Sequence, residues 1–328
     1  MEQAFVIRPT IICISANPAL DRRLRVPAIT LGQVNRARSV QALAGGKAAH
    51  VAMAARALGA KAVWIGFLGG TAGGQVIEDL RQLDIDVVPI RTAAATRANL
   101  EIIEDSGRVT EALEPGCAPE QAEREEMCRV LTSGLKESWK GAVVVISGSV
   151  PPGTPPIFYP SLIAYAHAAG SKVLLDTSGD ALAIALQAHP DFVKPNRQEV
   201  EALLGKRVVD CQSALDAARE LIHRGAHSAA ITLGAEGLVW LESKDGRAWM
   251  ARPPRLNAVS TVGCGDATMA GFAFARAQEL EADKVLRLAA ASGSANCLAQ
   301  LPGRIAVKDV ESLAERIEIE PCFSGPIG

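Results

Sequence analysis

Aromatic rings, an excess of either charge, paired cysteines and long apolar runs are all scarce in this sequence. Lysine and arginine number 34 against 36 aspartates and glutamates, leaving a net charge of -2. A nucleic-acid binder concentrates a basic excess along one face, so small molecules rather than nucleic acids are the expected partners. The seven cysteines, at 13, 117, 128, 211, 264, 297 and 322, include no C-x-x-C pair. That argues against a disulfide framework or a zinc site and for a reducing, cytoplasmic setting. No apolar run approaches the roughly eighteen residues of a membrane span, and Glu2, Arg8 and Pro9 interrupt what would have to be a signal sequence. Neither a repeat, a low-complexity tract nor a linker divides the chain. What remains is an ordinary globular profile, 328 residues with 48% hydrophobic and 21% charged, long enough for one large core or two modest ones.

Short β-branched runs alternate with Ala- and Leu-rich amphipathic stretches, the rhythm of an α/β fold with a mostly parallel sheet. Strands are expected at 11–15, 62–68, 142–147, 172–176, 191–194 and 229–233, each apolar enough for burial on both faces. Helices are expected at 48–58, 74–83, 120–135, 157–169 and 213–223, with Gly59, Gly170 and Gly225 among their stops. Two stretches, 21–43 and 86–113, break the rhythm: polar and apolar residues alternate with no helix between them, as in antiparallel strands with one wet face. Lying on either side of a βα unit, they are expected to meet as a small projecting sheet, either a lid over a ligand or a pair of surface hairpins. Residues 321–328 read as a frayed tail after a single domain spanning 1–320.

Chemistry concentrates in a few segments. Ser260-Thr261-Val262-Gly263-Cys264-Gly265-Asp266 precedes a strong helix-forming stretch at 267–277. A glycine-rich turn opening a helix aims free N–H groups and the positive end of the helix dipole at one point, which suits an anion. Asp266 would repel a resting phosphate, so it belongs there either as a base facing a nucleophile or as a helix cap, the commoner local role. A second such turn, Gly45-Gly46-Lys47, offers Lys47 as a phosphate-binding point charge or as a solvated lysine. Asp21, just past the first strand, and Arg97, in the alternating stretch, are ligand candidates with turn and surface roles as the alternatives. Asn196 and Glu199 start a helix with oxygens at i and i+3, a spacing that suits a hydrated magnesium ion and suits a capping box equally. The histidines at 50, 167, 189, 223 and 227 show no metal spacing.

Taken in order, these segments resemble the ribokinase/PfkB superfamily of sugar kinases, in its branch of 1-phosphofructokinases and tagatose-6-phosphate kinases. The markers are Asn17-Pro18-Ala19-Leu20-Asp21, Gly32-Gln33-Val34-Asn35-Arg36, Gly45-Gly46-Lys47, Thr96-Arg97-Ala98-Asn99, Gly148-Ser149-Val150-Pro151-Pro152-Gly153, Lys194-Pro195-Asn196-Arg197-Gln198-Glu199, Thr232-Leu233-Gly234-Ala235-Glu236-Gly237 and Thr261-Val262-Gly263-Cys264-Gly265-Asp266. The resemblance implies a ribokinase-like three-layer α/β/α sandwich with a small β-sheet lid, and ATP-dependent phosphorylation of a hexose phosphate. Fructose 1-phosphate or fructose 6-phosphate, giving fructose 1,6-bisphosphate, come ahead of tagatose 6-phosphate. By the same match Asp266 is the general base, and Gly263, Cys264 and Gly265 lend N–H groups to an anion hole. Asp21, Gly45 and Gly46 hold the sugar, while Lys47 and Arg97 hold its phosphate. Lys194, Asn196, Thr232, Gly234, Gly237 and Thr261 line the ATP site, and Asn196 with Glu199 orders Mg2+ through water.

Two departures bear on specificity. The branch usually reads Gly-Gly-Lys-Gly-[Ile/Leu]-Asn at the second loop, whereas Ala48-Ala49-His50 follow Lys47 here. His50 thus replaces an Asn that contacts the sugar with a bulkier ring that titrates near neutral pH. Cys264 replaces the usual Ala at a helix N-terminus, where thiol pKa values fall, so oxidation there is expected to inhibit. With rings at only 4%, adenine is expected to sit on aliphatic side chains and backbone. The lid, with one face and two edges to cover, is the expected surface of a homodimer. The competing readings are a kinase of an unphosphorylated sugar or nucleoside, and a non-catalytic sugar-phosphate sensor.

Overall fold

The computed structural model describes residues 8–242 and 246–322. The chain enters through β1 (Thr10–Ser15), makes a first excursion in β2 (Ala19–Val26) and β3 (Ser39–Gly45), and returns along α1 (Lys47–Ala57). It continues as β4 (Lys61–Leu68), α2 (Gly70–Arg81) and β5 (Asp86–Arg91) before a second excursion in β6 (Arg97–Glu104) and β7 (Val109–Leu113). A βα series follows: α3 (Gln121–Lys136), β8 (Val143–Ser147), α4 (Phe158–Ala168), β9 (Val173–Asp176), α5 (Gly179–Ala185), β10 (Phe192–Val193), α6 (Arg197–Leu204), α7 (Cys211–His223) and β11 (Ser228–Thr232). The remainder is β12 (Leu238–Glu242), β13 (Ala248–Arg252), α8 (Cys264–Ala277), α9 (Ala282–Leu298), α10 (Val307–Ala314) and β14 (Glu318–Cys322).

Ten strands form one sheet in the order β14-β13-β12-β11-β10-β9-β8-β1-β4-β5, parallel from β11 to β5 and antiparallel from β12 onward. Its centre is apolar on both faces because both are covered. In β1, Ile11 and Cys13 pack with α1, α2, α8, α9 and α10, whereas Ile12 and Ile14 pack with α3, α4, α5, α6 and α7. That is the three-layer α/β/α sandwich the residue pattern implies. The connections reverse direction between β1 and β8, so a crevice opens at the carboxyl ends of those strands, where open parallel sheets bind ligands.

The lid is a second sheet, ordered β3-β2-β6-β7. Its outer pairs are antiparallel, but β2 and β6 run parallel, contrary to the all-antiparallel expectation. Both strands leave the carboxyl edge of the main sheet heading outward, and alternation of residues carries no information on strand direction. The stretch 86–113 also divides: β5 is the parallel edge of the main sheet, half-exposed and tolerant of Pro89, and only β6 and β7 belong to the lid. Helix α2 starts at Gly70, ahead of the expected 74. Pro321 and Cys322, assigned to the tail by sequence, close edge strand β14; the rest of that tail lies outside the described residues.

Register gives the lid two unlike faces. Asp21 pairs with Asn99, Arg23 with Glu101 and Glu101 with Glu111, so one face is polar. Arg23 and Glu101 are buried there in a bidentate ion pair, and Arg23 also donates to the carbonyl of Gln300 at 3.0 Å. On the opposite face Leu24 pairs with Val40 and Ile102, and Leu100 pairs with the exposed Arg22.

Candidate active site

Helix α8 begins at Gly263, whose φ of +79° lies in the left-handed region, and a Cβ there would fall 2.8 Å from Pro302 Cβ. Asn296, buried on α9, fastens this turn: its Nδ2 donates to the carbonyl of Val262 at 2.7 Å, and its Oδ1 accepts from the N–H of Gly303 at 2.8 Å. Cys264, Gly265 and Asp266 form the first helical turn, where amides have no intrahelical acceptor; that of Cys264 donates to the Thr261 carbonyl at 3.3 Å. Asp266 is the third residue of the helix and does not cap it. Its Oδ2 lies instead 2.9 Å from His50 Nδ1, and the residue is 6% exposed. The cap role that local pattern favours is therefore absent, and the carboxylate is turned toward the crevice-lining start of α1.

That start is built by Gly45-Gly46-Lys47. A Cβ on Gly45 would lie 1.9 Å from Asp21 Cγ, so the glycine is there to let the Asp21 carboxylate rest against the backbone. Gly46 turns the chain at φ +84° and caps α1. Asp21 itself belongs to β2 in the lid; its Oδ1 accepts from Asn99 Nδ2 at 2.7 Å and its Oδ2 lies 3.5 Å from His50 Nε2. His50 thus stands between the lid carboxylate and the α8 carboxylate. Burial opposes its charge, but hydrogen bonds to Asp21 and Asp266 and their negative charges overcome this and push its pKa to about 10. The near-neutral titration expected of a lone imidazole does not hold here.

Lys47 does not join Arg97. Its Nζ lies 3.1 Å from Asp176 Oδ1 and 3.1 Å from Glu199 Oε1. Asp176, fully buried at the end of β9, is also paired with Lys194, whose Nζ lies 3.2 Å from Oδ2. Burial disfavours its charge, yet Lys194 and Lys47 hold its carboxyl below the usual range. Burial likewise disfavours the ammonium of Lys47, and the charges of Asp176, Glu199 and Asp266 outweigh it and hold the group protonated. A Cβ on Gly265 would lie 3.3 Å from Lys194 Nζ, which places that amine under the anion-binding turn. The two lysines therefore flank Asp176 beside the α8 turn, and Lys47 lies with Lys194 rather than with Arg97.

Arg97 opens β6 and lines a cleft with Asn17, Thr92, Thr96 and Cys117. Its guanidinium donates to the carbonyls of Asn17 and Glu114 and to Asn99 Oδ1. Asn17 in turn donates to the carbonyl of Pro115 and to Ser149 Oγ, tying the end of β1 to the loop after β8. On the other flank, an isolated bridge joins Asn196 to Thr232, and the turn Gly234–Glu236 follows with Gly234 and Gly237 both at positive φ. A Cβ on Gly237 would meet the carbonyl oxygen of Ala251 at 2.0 Å. Thr261 is exposed at the rim, its carbonyl accepting from Cys264 N–H.

The Asn196/Glu199 alternative resolves as a capping box: Asn196 Oδ1 accepts from Glu199 N–H and Glu199 Oε2 from Asn196 N–H, both at 2.9 Å. Glu199 Oε1 faces Lys47. The oxygens of this pair, Asn196 Oδ1 and Glu199 Oε1 and Oε2, each already accept a hydrogen bond, which suits an ion that keeps its own waters better than one ligated directly. Among the described residues no cluster of His, Cys, Asp or Glu is arranged to chelate a metal.

The Cys264 thiol differs from expectation. Its Sγ lies 3.0 Å from Cys297 Sγ on α9, within thiol hydrogen-bond reach. This contact, burial and the charge of Asp266 push Cys264 up, whereas the same contact lowers Cys297 despite its burial. Cys297 is therefore the thiol that ionises first. Peroxide is expected to oxidise the Cys297 thiolate to a sulfenic acid, cleaving the O–O bond and releasing hydroxide; the Cys264 thiol then displaces water to close a disulfide. Wild-type activity should fall on peroxide treatment and Cys297→Ser should resist, as read by residual turnover and thiol titration. Equal sensitivity of the two proteins removes the pair as the cause.

Asp266, Gly263, Cys264, Gly265, Asp21, Gly45, Gly46, Lys47, His50 and Lys194 converge on the mouth of the β1/β8 crevice, with Arg97 on one flank and Asn196, Thr232, Gly234 and Gly237 on the other. Sequence reasoning missed Asp176 and Asn296. Asp176 ends a strand already recognised as such, and an acidic residue at the carboxyl end of a buried parallel strand is the signal that singles it out.

Comparison with known proteins identifies the family and the fold. Residues 11–306 match the model of the pfkB family carbohydrate kinases. A 1-phosphofructokinase of Xanthomonas campestris pv. campestris is 39% identical over 288 residues, covering 85% of this chain and 88% of that one. The 1-phosphofructokinase of Escherichia coli K12 is 31% identical over 313 residues, 94% of this chain and 97% of its own. Among solved structures, phosphofructokinase-2 from Escherichia coli in complex with fructose-6-phosphate superposes with a TM-score of 0.84 at 26% identity, covering 95% of this chain and 99% of that one.

Proposed function

Because this chain belongs to the pfkB family of carbohydrate kinases, we propose that it transfers the γ-phosphoryl group of ATP to a hydroxyl of a hexose phosphate. Fructose 1-phosphate or fructose 6-phosphate, either giving fructose 1,6-bisphosphate, is the preferred acceptor, with tagatose 6-phosphate next. The observation that carries this reading is Asp266: a buried carboxylate in an anion-binding helical turn that caps nothing and faces a second carboxylate, Asp21, across His50.

The acceptor's hydroxyls rest against Asp21 and the Gly45-Gly46 backbone, and its phosphate lies toward the Arg97 guanidinium. Asp266 accepts the attacking hydroxyl's proton as the oxygen–phosphorus bond forms and the bond to ADP loosens. The amides of Gly263, Cys264 and Gly265 receive charge on the transferring group, and Lys47 and Lys194 neutralise the polyphosphate beside it. Asn196, Thr232, Gly234, Gly237 and Thr261 line the nucleotide. Adenine is held by aliphatic side chains and backbone, since rings such as Phe192, Phe272, Trp240 and Trp249 stack on one another. Mg2+, ordered through water by Asn196 and Glu199, would supply charge neutralisation on the phosphates. Closure of the lid excludes water as a competing acceptor.

The distinguishing experiment is a substrate panel read by ADP release, run on wild type and Arg97→Ala. Hexose phosphates should be turned over and free hexoses or nucleosides should not, and Arg97→Ala should raise KM for the hexose phosphate by about tenfold or more with a smaller change in kcat. Robust turnover of free sugars alone overturns the choice of acceptor.

A homodimer formed through the lid fits the same picture. The lid face bearing Leu24, Leu100 and Ile102 continues to Val40, 52% exposed, on the edge strand β3. Light scattering at micromolar concentration tests this, and a monomer there rules it out. A cytoplasmic location accords with seven cysteines that are all free thiols.

A further inference from the structure

Each ring nitrogen of His50 faces a carboxylate: Nδ1 lies 2.9 Å from Asp266 Oδ2 and Nε2 lies 3.5 Å from Asp21 Oδ2. A neutral imidazole has one N–H and one lone pair. In either tautomer one of these contacts would set a lone pair against a carboxylate oxygen, at a residue only 6% exposed. The imidazolium alone donates to both.

We propose that His50 is a positioning residue for phosphoryl transfer, an imidazolium held between Asp266 and Asp21 that orients the base and lets both carboxylates stay ionised side by side. The proposal rests on the reading of Asp266 as the base. With Oδ2 taken by His50, Oδ1 is the Asp266 oxygen left to receive the hydroxyl proton. Asp21 Oδ1 is held by Asn99, and its Oδ2 faces the ring's Nε2 at 3.5 Å. Two carboxylates without the ring would repel one another, and one would take up a proton.

The surroundings favour the charged ring. Asp266 faces it from α8, Asp21 from β2 and Glu111 from β7. Arg304 shares its cleft but is paired with Asp79 of α2 at 3.6 Å, and Lys47, one turn earlier on α1, is paired with Asp176 and Glu199. Negative charge outweighs positive around the ring, in line with its raised pKa of about 10. Since that value exceeds the ordinary 6.5, the stabilisation His50 contributes is complete below pH 6.5 and lost as pH rises through about 10.

The test pairs spectroscopy with kinetics. Imidazole 15N spectra of wild type should show His50 protonated at both nitrogens at about pH 8, above its ordinary range. His50→Asn, which donates without charge, should lower kcat by about tenfold with KM for ATP little changed, and should move the acid limb of the kcat–pH profile upward by about one unit. A packing role alone would leave that limb in place. A neutral tautomer at pH 8, or a His50→Asn profile superimposable on wild type, overturns the proposal. If His50→Asn does not fold, the wild-type spectrum decides alone. Failure of the base assignment shows separately, as undiminished turnover in Asp266→Asn with the His50 spectrum unaffected by that outcome.

Discussion

Asp266→Asn is expected to cut kcat by on the order of a hundredfold or more while leaving ATP and hexose-phosphate affinity within about threefold. The amide keeps the shape of the side chain and can still accept from His50, so the α8 turn, fastened independently by Asn296, should stay in place. What it loses is the basic oxygen. Without it the hydroxyl proton must leave to solvent, and the interaction forfeited exists only in the transition state, which is why kcat rather than KM carries the loss. Initial rates of ADP release, with equilibrium binding of the sugar phosphate measured on the same preparations, check both halves. Equal rates in wild type and variant would remove the assigned role. Binding without turnover in either protein would support a sensor instead of a kinase.

Much of the main sheet and its helices is legible in the residues because the signals are local. Ile11-Ile12-Cys13-Ile14 is apolar at every position, and a strand of that kind must be covered on both sides. Gly59, Gly170 and Gly225 follow helices at positive φ, the conformation that glycine tolerates. Direction and partnership are not local. Alternation marks 86–91 and 97–104 in the same way, yet the first is an edge of the main sheet and the second the middle of the lid, because an edge strand is half-wet for a different reason than a lid strand.

The same division runs through the site. Gly263, Gly265 and Asp266 are legible together because one turn carries all of them, and that Asp266 caps nothing follows only from where its side chain points. Lys47 is legible only in part. Its neighbours in sequence suggest a phosphate ligand, but its partners in the fold, Asp176 and Glu199, lie 129 and 152 residues away. His50 reads as a substitution at a sugar contact, and its charge state follows from two carboxylates brought in by β2 and α8, which no spacing along the chain reveals.

Asp176→Asn is expected to carry the largest stability loss, about 3–5 kcal/mol, because it strips the counter-charge from two ammonium groups at once. Lys194 is 3% exposed and cannot recover its hydration where it stands, and Lys47 retains its ion pair with Glu199 and the charge of Asp266. For a domain whose whole stability is about 5–15 kcal/mol, that loss should be visible as a lower denaturation midpoint at unchanged slope. The pH dependence gives an independent sign. Asp176 titrates below its ordinary 3.8 in the folded protein, so its contribution is present above that value and lost as pH falls through the depressed one. Wild type should therefore lose stability more steeply than the variant in that acid window. A double change, Asp176→Leu with Lys194→Met, should recover part of the loss, since apolar side chains replace a buried pair more cheaply than a broken one. ATP should then stabilise Asp176→Asn more than it stabilises wild type, because the polyphosphate restores the negative charge that the two lysines lack. An unchanged midpoint, or an ATP effect equal in both proteins, would mean that Asp176 does not organise these amines for the nucleotide.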